Sequence, residues 1–329
     1  MSTIDVPNQT VIENAVRAAT RAPSVHNTQP WRFVVAPPLI EVHLDRDRVL
    51  EVVDPVAREA IMSCGAALFN LRVALLAAGR GTVVDLLPDS SRHDLLAVVR
   101  VGAARPSTPE HDTLAAAIER RATNRRPFTE RVVPPQHRNA LVHAAQVEGA
   151  RLVLLDTPKA LGTLATLLRR ADHLQENDPD FQRELREWTA GRDGRMDGVP
   201  RSAGGPRPIG GSLLTLRQFH EDPVRERPFE QAPLVAMLTT HGDTVRDHLL
   251  AGQAMQRVLL TATVTGLATS FLSQPVEVPL TRAALRALLD APGHPQTVLR
   301  IGYGHPAART PRRSVEAVAT FPVTDEASS

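Results

Sequence analysis

The spacing of apolar positions predicts helices and short strands alternating along most of the chain. Residues 10–20 carry Ile12, Ala15, Val16 and Ala19 at one-face helical spacing. Residues 31–35 and 40–44 are rich in β-branched and apolar side chains on either side of Pro37-Pro38, which predicts two short strands. From about 56 to 78, Ile61, Cys64, Leu68, Leu71, Leu75 and Ala78 form the seam of a long helix that Gly79 stops. Strands are expected at 82–87 and 95–101, and residues 103–110 make the best linker. Beyond it the pattern predicts helices at 114–121, 136–146 and 160–175, with an apolar strand at 151–155. Between 177 and 233 the periodicity fails among scattered glycines and prolines, so this stretch is either disordered or a functional cover. Regular structure resumes with a strand at 234–240, a helix at 246–265 ended by Gly266, a strand at 269–272, a helix at 280–289 and a strand at 297–301.

A repeat lies within this order. Setting Gly65 against Gly252 pairs Ala67 with Ala254, Gly79 with Gly266, Thr82 with Thr269 and Pro88 with Pro275 without a gap. Further on, Val99-Arg100-Val101-Gly102 matches Leu299-Arg300-Ile301-Gly302. Shared glycine spacing alone is common among helix–strand units. The shared ending makes internal duplication the better reading.

Composition narrows the chemistry. The chain has 329 residues, of which 42% are hydrophobic and 22% charged, enough for one large or two ordinary globular domains. Its first residues carry no basic-then-apolar signal, and no uninterrupted apolar run looks long enough to cross a bilayer, so a cytoplasmic location is expected. Cys64 is the single cysteine, which excludes an internal disulfide and multi-cysteine metal sites; on an apolar seam it reads as a small core residue. Lys159 is the only lysine, so no Gly-Lys-Ser/Thr phosphate loop exists. Basic residues are scattered and aromatics are 3%, which argues against a nucleic-acid partner.

The stretch Arg21-Ala-Pro-Ser-Val-His-Asn-Thr-Gln-Pro-Trp-Arg-Phe33 packs Ser24, His26, Asn27 and Gln29 into one turn fenced by Pro23 and Pro30. Four neutral hydrogen-bonding groups on a stiff connection suit a polar ring edge, and equally suit a well-capped helix-to-strand loop. Arg121, Thr123 and Arg125 alternate, so an extended backbone points all three the same way; two guanidinium forks and a hydroxyl match a phosphate monoester. Arg312 and Arg313 form a second basic pair behind Pro311. In so arginine-rich a chain either cluster alone would be an ordinary solvated face; together they point to phosphate. The acids Asp45 and Asp47 sit in a charged turn and are expected to be solvated. Gly302-Tyr-Gly-His-Pro-Ala307 fits a dinucleotide fingerprint only until Pro306 forbids the required helix. No metal-ligand spacing appears among the histidines, and no self-sufficient catalytic set is visible, so the chemistry is expected to reside in a cofactor.

These motifs resemble the FMN-dependent nitroreductases. Ala22-Pro-Ser-Val-His-Asn-Thr-Gln-Pro-Trp31 is similar to their flavin-edge loop, and Arg121-Ala-Thr-Asn-Arg-Arg-Pro-Phe128 to their R-x-S-x-R arm, with Thr123 in place of serine. The segments 251–275 and 298–313, ending in Pro-Arg-Arg, resemble the family's closing half. The Acg-like branch also shares Asp45-Arg-Asp-Arg-Val-Leu50, Arg58-Glu-Ala60, Cys64-Gly-Ala66, Asp178-x-x-Phe-x-x-Glu-Leu-x-x-Trp-Thr189 and Gly198-Val-Pro200.

The resemblance implies an α+β nitroreductase-like fold in two tandem related halves, each a mixed sheet packed with helices. Residues 1–108 would form a degenerate half that supplies the loop, and 109–329 a half that supplies the arm and closing arginines. In ordinary members two chains share each flavin site; here the contributions are divided within one chain, implying a monomeric pseudo-dimer with one FMN and leaving further homodimerisation open. Arg121, Thr123, Arg125, Arg312 and Arg313 would take phosphate and ribityl oxygens. Ser24, Asn27 and Gln29, with Pro23 and His26 nearby, would meet the ring edge, and Leu272-Ser273-Gln274 would lie beside the hydride-accepting nitrogen, where the family uses backbone groups. Residues 177–215 would form a lid anchored by Trp188. The implied activity is hydride transfer from NAD(P)H through FMN to a nitroaromatic or quinone; the alternative is a flavin-sequestering protein with little turnover.

Overall fold

The computed structural model describes residues 8–189, 194–210, 212–219 and 226–321. The expected lid positions 190–193 and 211 lie outside them, as does the N-terminal stretch 1–7. In chain order the helices are α1 (Gln9–Thr20), α2 (Arg58–Ala77), α3 (Pro109–Ile118), α4 (Pro135–Val147), α5 (Pro158–Glu176), α6 (Pro179–Thr189), α7 (Val245–Val264), α8 (Gln274–Glu277) and α9 (Pro279–Leu285). The strands are β1 (Trp31–Ala36), β2 (Leu39–Leu44), β3 (Arg80–Leu86), β4 (Leu95–Ala104), β5 (Arg151–Leu154), β6 (Arg207–Pro208), β7 (Glu226–Arg227), β8 (Leu234–Thr240), β9 (Ala268–Phe271), β10 (His294–Gly302) and β11 (Ala319–Thr320).

Two sheets carry the α+β architecture. One has the order β11-β1-β2-β4-β3 and the other β5-β8-β10-β9. Apart from β11, the pairings in both are antiparallel, and the two orders correspond strand for strand. Strand β11 adds to the first sheet in parallel, beside β1 at Phe33 and Val34. The C-terminal segment therefore crosses from the second sheet to the first.

The long helices α2 and α7, each of 20 residues, pack against one another in the common core. They approach through glycines. A Cβ on Gly252 would sit 2.0 Å from the Met62 carbonyl oxygen, and one on Gly65 would sit 2.4 Å from that of Leu249. No other residue leaves room for this backbone contact. The repeat alignment pairs these same two glycines. Each helix ends at a glycine of positive φ, Gly79 at 72° and Gly266 at 73°, the left-handed stop that glycine adopts without a Cβ penalty. A capping box between Thr244 and Asp247 fixes the start of α7. Helix α2 has the length and apolarity of a membrane span, with a mean hydropathy of 1.7, contrary to the expectation that no such run exists. Its apolar residues are instead buried in the core beside Trp31, Val99 and Leu259.

Two further expectations change. Pro179–Thr189, read as patternless, is the helix α6: Phe181 and Leu185 meet Leu50 and Val53 in a small apolar cluster, with Trp188 packed against it. Glu184 clamps this helix down by accepting from the backbone N–H groups of Val52 and Val53 at 3.1 and 2.9 Å. Asp45, expected to be solvated, is buried between Arg32, Arg48 and Arg313, while Asp47 is exposed as expected.

Candidate functional site

A cleft runs between the loop that follows α1, the segment that follows α3, and the chain beyond β10. It has two adjoining ends, which share Pro23, Ser24, Arg125 and Phe271 in their linings.

The loop is held in an unusual conformation by its own contacts. His26, Asn27 and Gln29 all hold positive φ, 47°, 58° and 54°. Non-glycine residues rarely stay there unless surrounding contacts enforce it. Those contacts are specific. Ser24 Oγ accepts from the Gln29 backbone N–H at 2.9 Å. Asn27 Nδ2 donates to the carbonyls of Gly198 and Pro311 at 3.0 and 3.2 Å, and its Oδ1 accepts from Arg312 at 2.9 Å. Gln29 donates to the Met196 carbonyl at 2.7 Å and accepts from the Arg313 backbone N–H at 2.9 Å. The loop thus ties the cover segment on one side to the C-terminal crossing on the other.

At the first end, guanidinium groups gather without matching anions. Arg121, Thr123, Arg125, Arg309 and Arg312 line it with Ser24 and Asn27. The adjoining Glu119 is engaged by Arg21 at 3.0 Å. Arg121 is 7% exposed, and among the described residues its Nε and Nη1 have no hydrogen-bond partner; Arg312 Nε is in the same condition. Such groups are rare in folded proteins because each forfeits its hydration without compensation. Burial, and then the Arg309 charge, lower the Arg121 pKa to about 10. Burial lowers Arg125 to about 10, helped by Arg217 and Arg121, and Arg312 to about 9, helped by Arg121 and Arg21. The place is built for a multiply charged anion.

The second end is flatter and more apolar. Met62 and Ser63 of α2, Met255 of α7, and Ser270, Ser273 and Gln274 around β9 and α8 line it. Residues 198–210 and 212–219 form a strap that borders both ends. Gly205 lies so close to Arg125 that a Cβ would meet its carbonyl oxygen at 2.2 Å, and Arg125 donates to the Ala203 carbonyl at 2.9 Å. Phe219 stacks 4.5 Å below the Arg125 guanidinium and meets the His26 ring edge-on at 5.9 Å. Arg217 ion-pairs with the buried Glu277 and donates to Gln175 at 2.8 Å. Burial and Arg217 lower the His26 pKa to about 3, so its imidazole is neutral.

The expected site residues do not all meet here. Pro23, Ser24, Asn27, Arg121, Thr123, Arg125 and Arg312 share the anion end; His26, Ser273 and Gln274 line the other. Three lie elsewhere. Gln29 is fully buried behind the loop, Leu272 packs into an apolar cluster with Met237 and Val298, and Arg313 turns its side chain to an ionic patch with Asp45, Arg48 and Asp197. Trp188 borders that patch, and its carbonyl accepts from the Val199 backbone N–H at 3.0 Å, so it holds the strap's start. Residues that sequence reasoning missed include Glu59, Arg217, Phe219 and Glu277. Only Arg58-Glu-Ala60 had drawn notice, as a shared motif without a role.

A sequence profile of the Nitroreductase family matches residues 5–54 and 118–303. The chain belongs to the nitroreductase family. It is 36% identical to "Putative NAD(P)H nitroreductase Rv3131" of Mycobacterium tuberculosis, over 96% of this chain and 93% of that one. To "Putative NAD(P)H nitroreductase acg" of the same organism it is 32% identical, over 94% and 95%. Among solved structures, a nitroreductase with bound FMN from Bacteroides fragilis aligns with a TM-score of 0.38 at 14% identity, over 66% of this chain and 97% of that one.

Proposed function

We propose that this protein binds one FMN in the cleft and acts as an NAD(P)H-dependent oxidoreductase of nitroreductase type. The observation that carries the reading is the buried Arg121 guanidinium, whose Nε and Nη1 have no partner among the described residues, beside Arg312, Arg309 and Arg125 and next to a more apolar space. A flavin mononucleotide has that form, a phosphate dianion joined through a polyol to a flat ring. Arg121, Arg125 and Arg312 would hold the phosphate and adjoining oxygens. Thr123, Ser24 and Asn27 would supply neutral hydrogen bonds along the polyol, and His26, Ser273 and Gln274 would border the ring. Bound there, FMN would supply hydride transfer from NAD(P)H to a nitroaromatic or quinone acceptor. The relatives named as NAD(P)H nitroreductases support the donor.

The matching strand orders and the glycine-to-glycine contact of α2 with α7 support a pseudo-dimeric chain with halves 1–108 and 109–329. On that reading the first half contributes the loop, and the second contributes the arm and Arg312, carried across by the segment that ends in β11. One complete site results.

A second reading, flavin sequestration, is favoured by the strap, whose Arg217 is buried against Glu277. Anaerobic mixing of FMN-loaded protein with NADPH separates the two. Rapid bleaching of flavin absorbance supports the reductase; bleaching by dithionite alone supports sequestration; failure to bind FMN refutes both.

A further inference from the structure

The wall of the ring end opposite β9 begins at the first turn of α2, where Glu59 borders the cleft with Met62 and Ser63. Glu59 is 7% exposed. Around it lie the carboxylates of Asp54, before α2, and Glu277, on α8, with the guanidiniums of Arg58, on α2, and Arg217, on the strap. Asp172 of α5 faces Arg217 and Glu277 from the far side, and burial raises its pKa. Four carboxyl groups, Glu59 among them, thus share two guanidiniums, and a buried cluster of that composition retains a proton. The hydrogen bonds say where. Glu277 takes the Arg217 fork and Gln175 Nε2, the latter at 2.7 Å. Asp54 accepts from the Ala60 backbone N–H at 2.8 Å. Glu59 accepts from Arg58 at 2.5 Å, but that guanidinium is divided with the carbonyls of Gln296 and Val276 at 2.7 and 3.2 Å. Burial first, then Glu277 and Asp54, push Glu59 up to about 8 against the pull of Arg58.

We propose that Glu59 is a catalytic residue of this site, the general acid that protonates the acceptor oxygen during its reduction. The assignment rests on the flavin-oxidoreductase reading above. A quinone reduced to hydroquinone gains a hydride, supplied by the reduced flavin, and one further proton. Glu59 supplies that proton: its O–H bond breaks, an O–H bond forms on the quinone oxygen, and the electron pair stays on the carboxylate beside Arg58. Water entering after product departure reprotonates it. Of the other ionisable groups lining this end, His26 is a poorer donor because its neutral ring holds its remaining proton tightly, and Arg125 and Arg217 hold theirs more tightly than Glu59 does.

The test uses full-length, FMN-loaded protein with its flavin photoreduced, mixed anaerobically with a benzoquinone at a series of pH values. The wild-type reoxidation rate is expected to fall above about pH 8. Glu59→Gln should slow it by about 10²-fold and abolish that pH limb, and Glu59→Asp should restore part of both. Independently of turnover, the infrared difference between wild type and Glu59→Gln at neutral pH should contain a protonated-carboxyl band. A Glu59→Gln protein with wild-type rate or pH limb, or the absence of that band, overturns the assignment while flavin binding and reoxidation leave the oxidoreductase reading standing. Wild-type protein that binds no FMN overturns both.

Discussion

Replacing Arg121 by methionine tests the anion end with effects of opposite sign. The guanidinium is buried, beside other arginines, with two nitrogens unpartnered among the described residues. The fall of its pKa from the ordinary arginine range to about 10 corresponds to roughly 3 kcal/mol of unfavourable free energy in the charged form. For a base whose folded pKa is depressed, that penalty is fully present at neutral pH and is relieved only as pH rises past about 10. Methionine keeps an apolar stem and removes the charge. Flavin-free protein should therefore gain about 1–3 kcal/mol at neutral pH, allowing for imperfect repacking. Binding should move the other way. One charge-assisted hydrogen bond to phosphate is worth about 1.5–3 kcal/mol, so the FMN dissociation constant should rise roughly 10- to 150-fold.

Urea unfolding of the flavin-free protein gives the first quantity, and quenching of FMN fluorescence on titration gives the second. Arg121→Lys is the control: it keeps a charge but loses the planar fork, so affinity should fall without the stability gain. A methionine variant that is less stable without flavin and binds FMN as tightly as wild type would refute the reasoning, because Arg121 would then be a structural arginine.

Gly252→Ala should lower stability by about 1–3 kcal/mol or more in urea, since its Cβ would lie 2.0 Å from the Met62 carbonyl and the two long helices must part; an unchanged midpoint contradicts their contact. Arg217→Ala should cost about 3–5 kcal/mol by stranding Glu277, and should expose residues 198–219 to protease; a double variant with methionine at 217 and 277 should recover most of the loss. Stability should also depend on pH in a set direction. Glu59 and Asp54 have raised folded values, about 8 and about 6, so the folded chain binds more protons and stability falls as pH rises. Between about pH 6.5 and 8 the Glu59 contribution should give a slope near 1 kcal/mol per pH unit, which Glu59→Gln should flatten. His26 acts oppositely: its folded value of about 3 makes stability fall as pH drops below about 6.5, measurable in the same urea series.

The regular elements were legible because their apolar periodicity matches what they bury. The seam Ile61, Cys64, Leu68, Leu71, Leu75 is almost wholly inaccessible in α2, whereas Ala78, expected to end it, caps the helix and is exposed; β8 is buried along its full length. The alternation of Arg121, Thr123 and Arg125 was legible too, because it needs only an extended backbone. Helix α6 was missed although Phe181, Leu185 and Trp188 have helical spacing. Its mean composition is polar, and it buries only one narrow stripe, so glycines and prolines farther along the stretch dominated the reading. Gln29, Leu272 and Arg313 show a different limit. Nearness in sequence to a site residue does not fix which side of the backbone a side chain leaves, and a residue whose main chain or amide braces the site can turn its remaining bulk away. The acid cluster was out of reach for a third reason. Asp54 and Glu59, Arg217 and Glu277 come from three separate segments, and no local pattern marks a carboxyl group as unpaired.

The two ends of the cleft carry opposite imbalances, and this orients whatever enters. At one end Arg21, Arg121, Arg125, Arg309 and Arg312 share the lining with a single carboxylate, Glu119, which Arg21 engages; at the other Glu59 borders the space, with Asp54, Glu277, Arg58 and Arg217 around it. A dianion at the arginine end removes a repulsion already present among the guanidiniums, whereas the ring end has fewer of them and a more apolar lining. Arg125 stands at the junction, stacked on Phe219 and bonded to the strap at Ala203. On the proposed assignments, the asymmetry that would draw phosphate to one end would leave a proton stored at the other, where an acceptor being reduced would need it. Binding polarity and proton supply thus follow from one distribution of charge along the cleft.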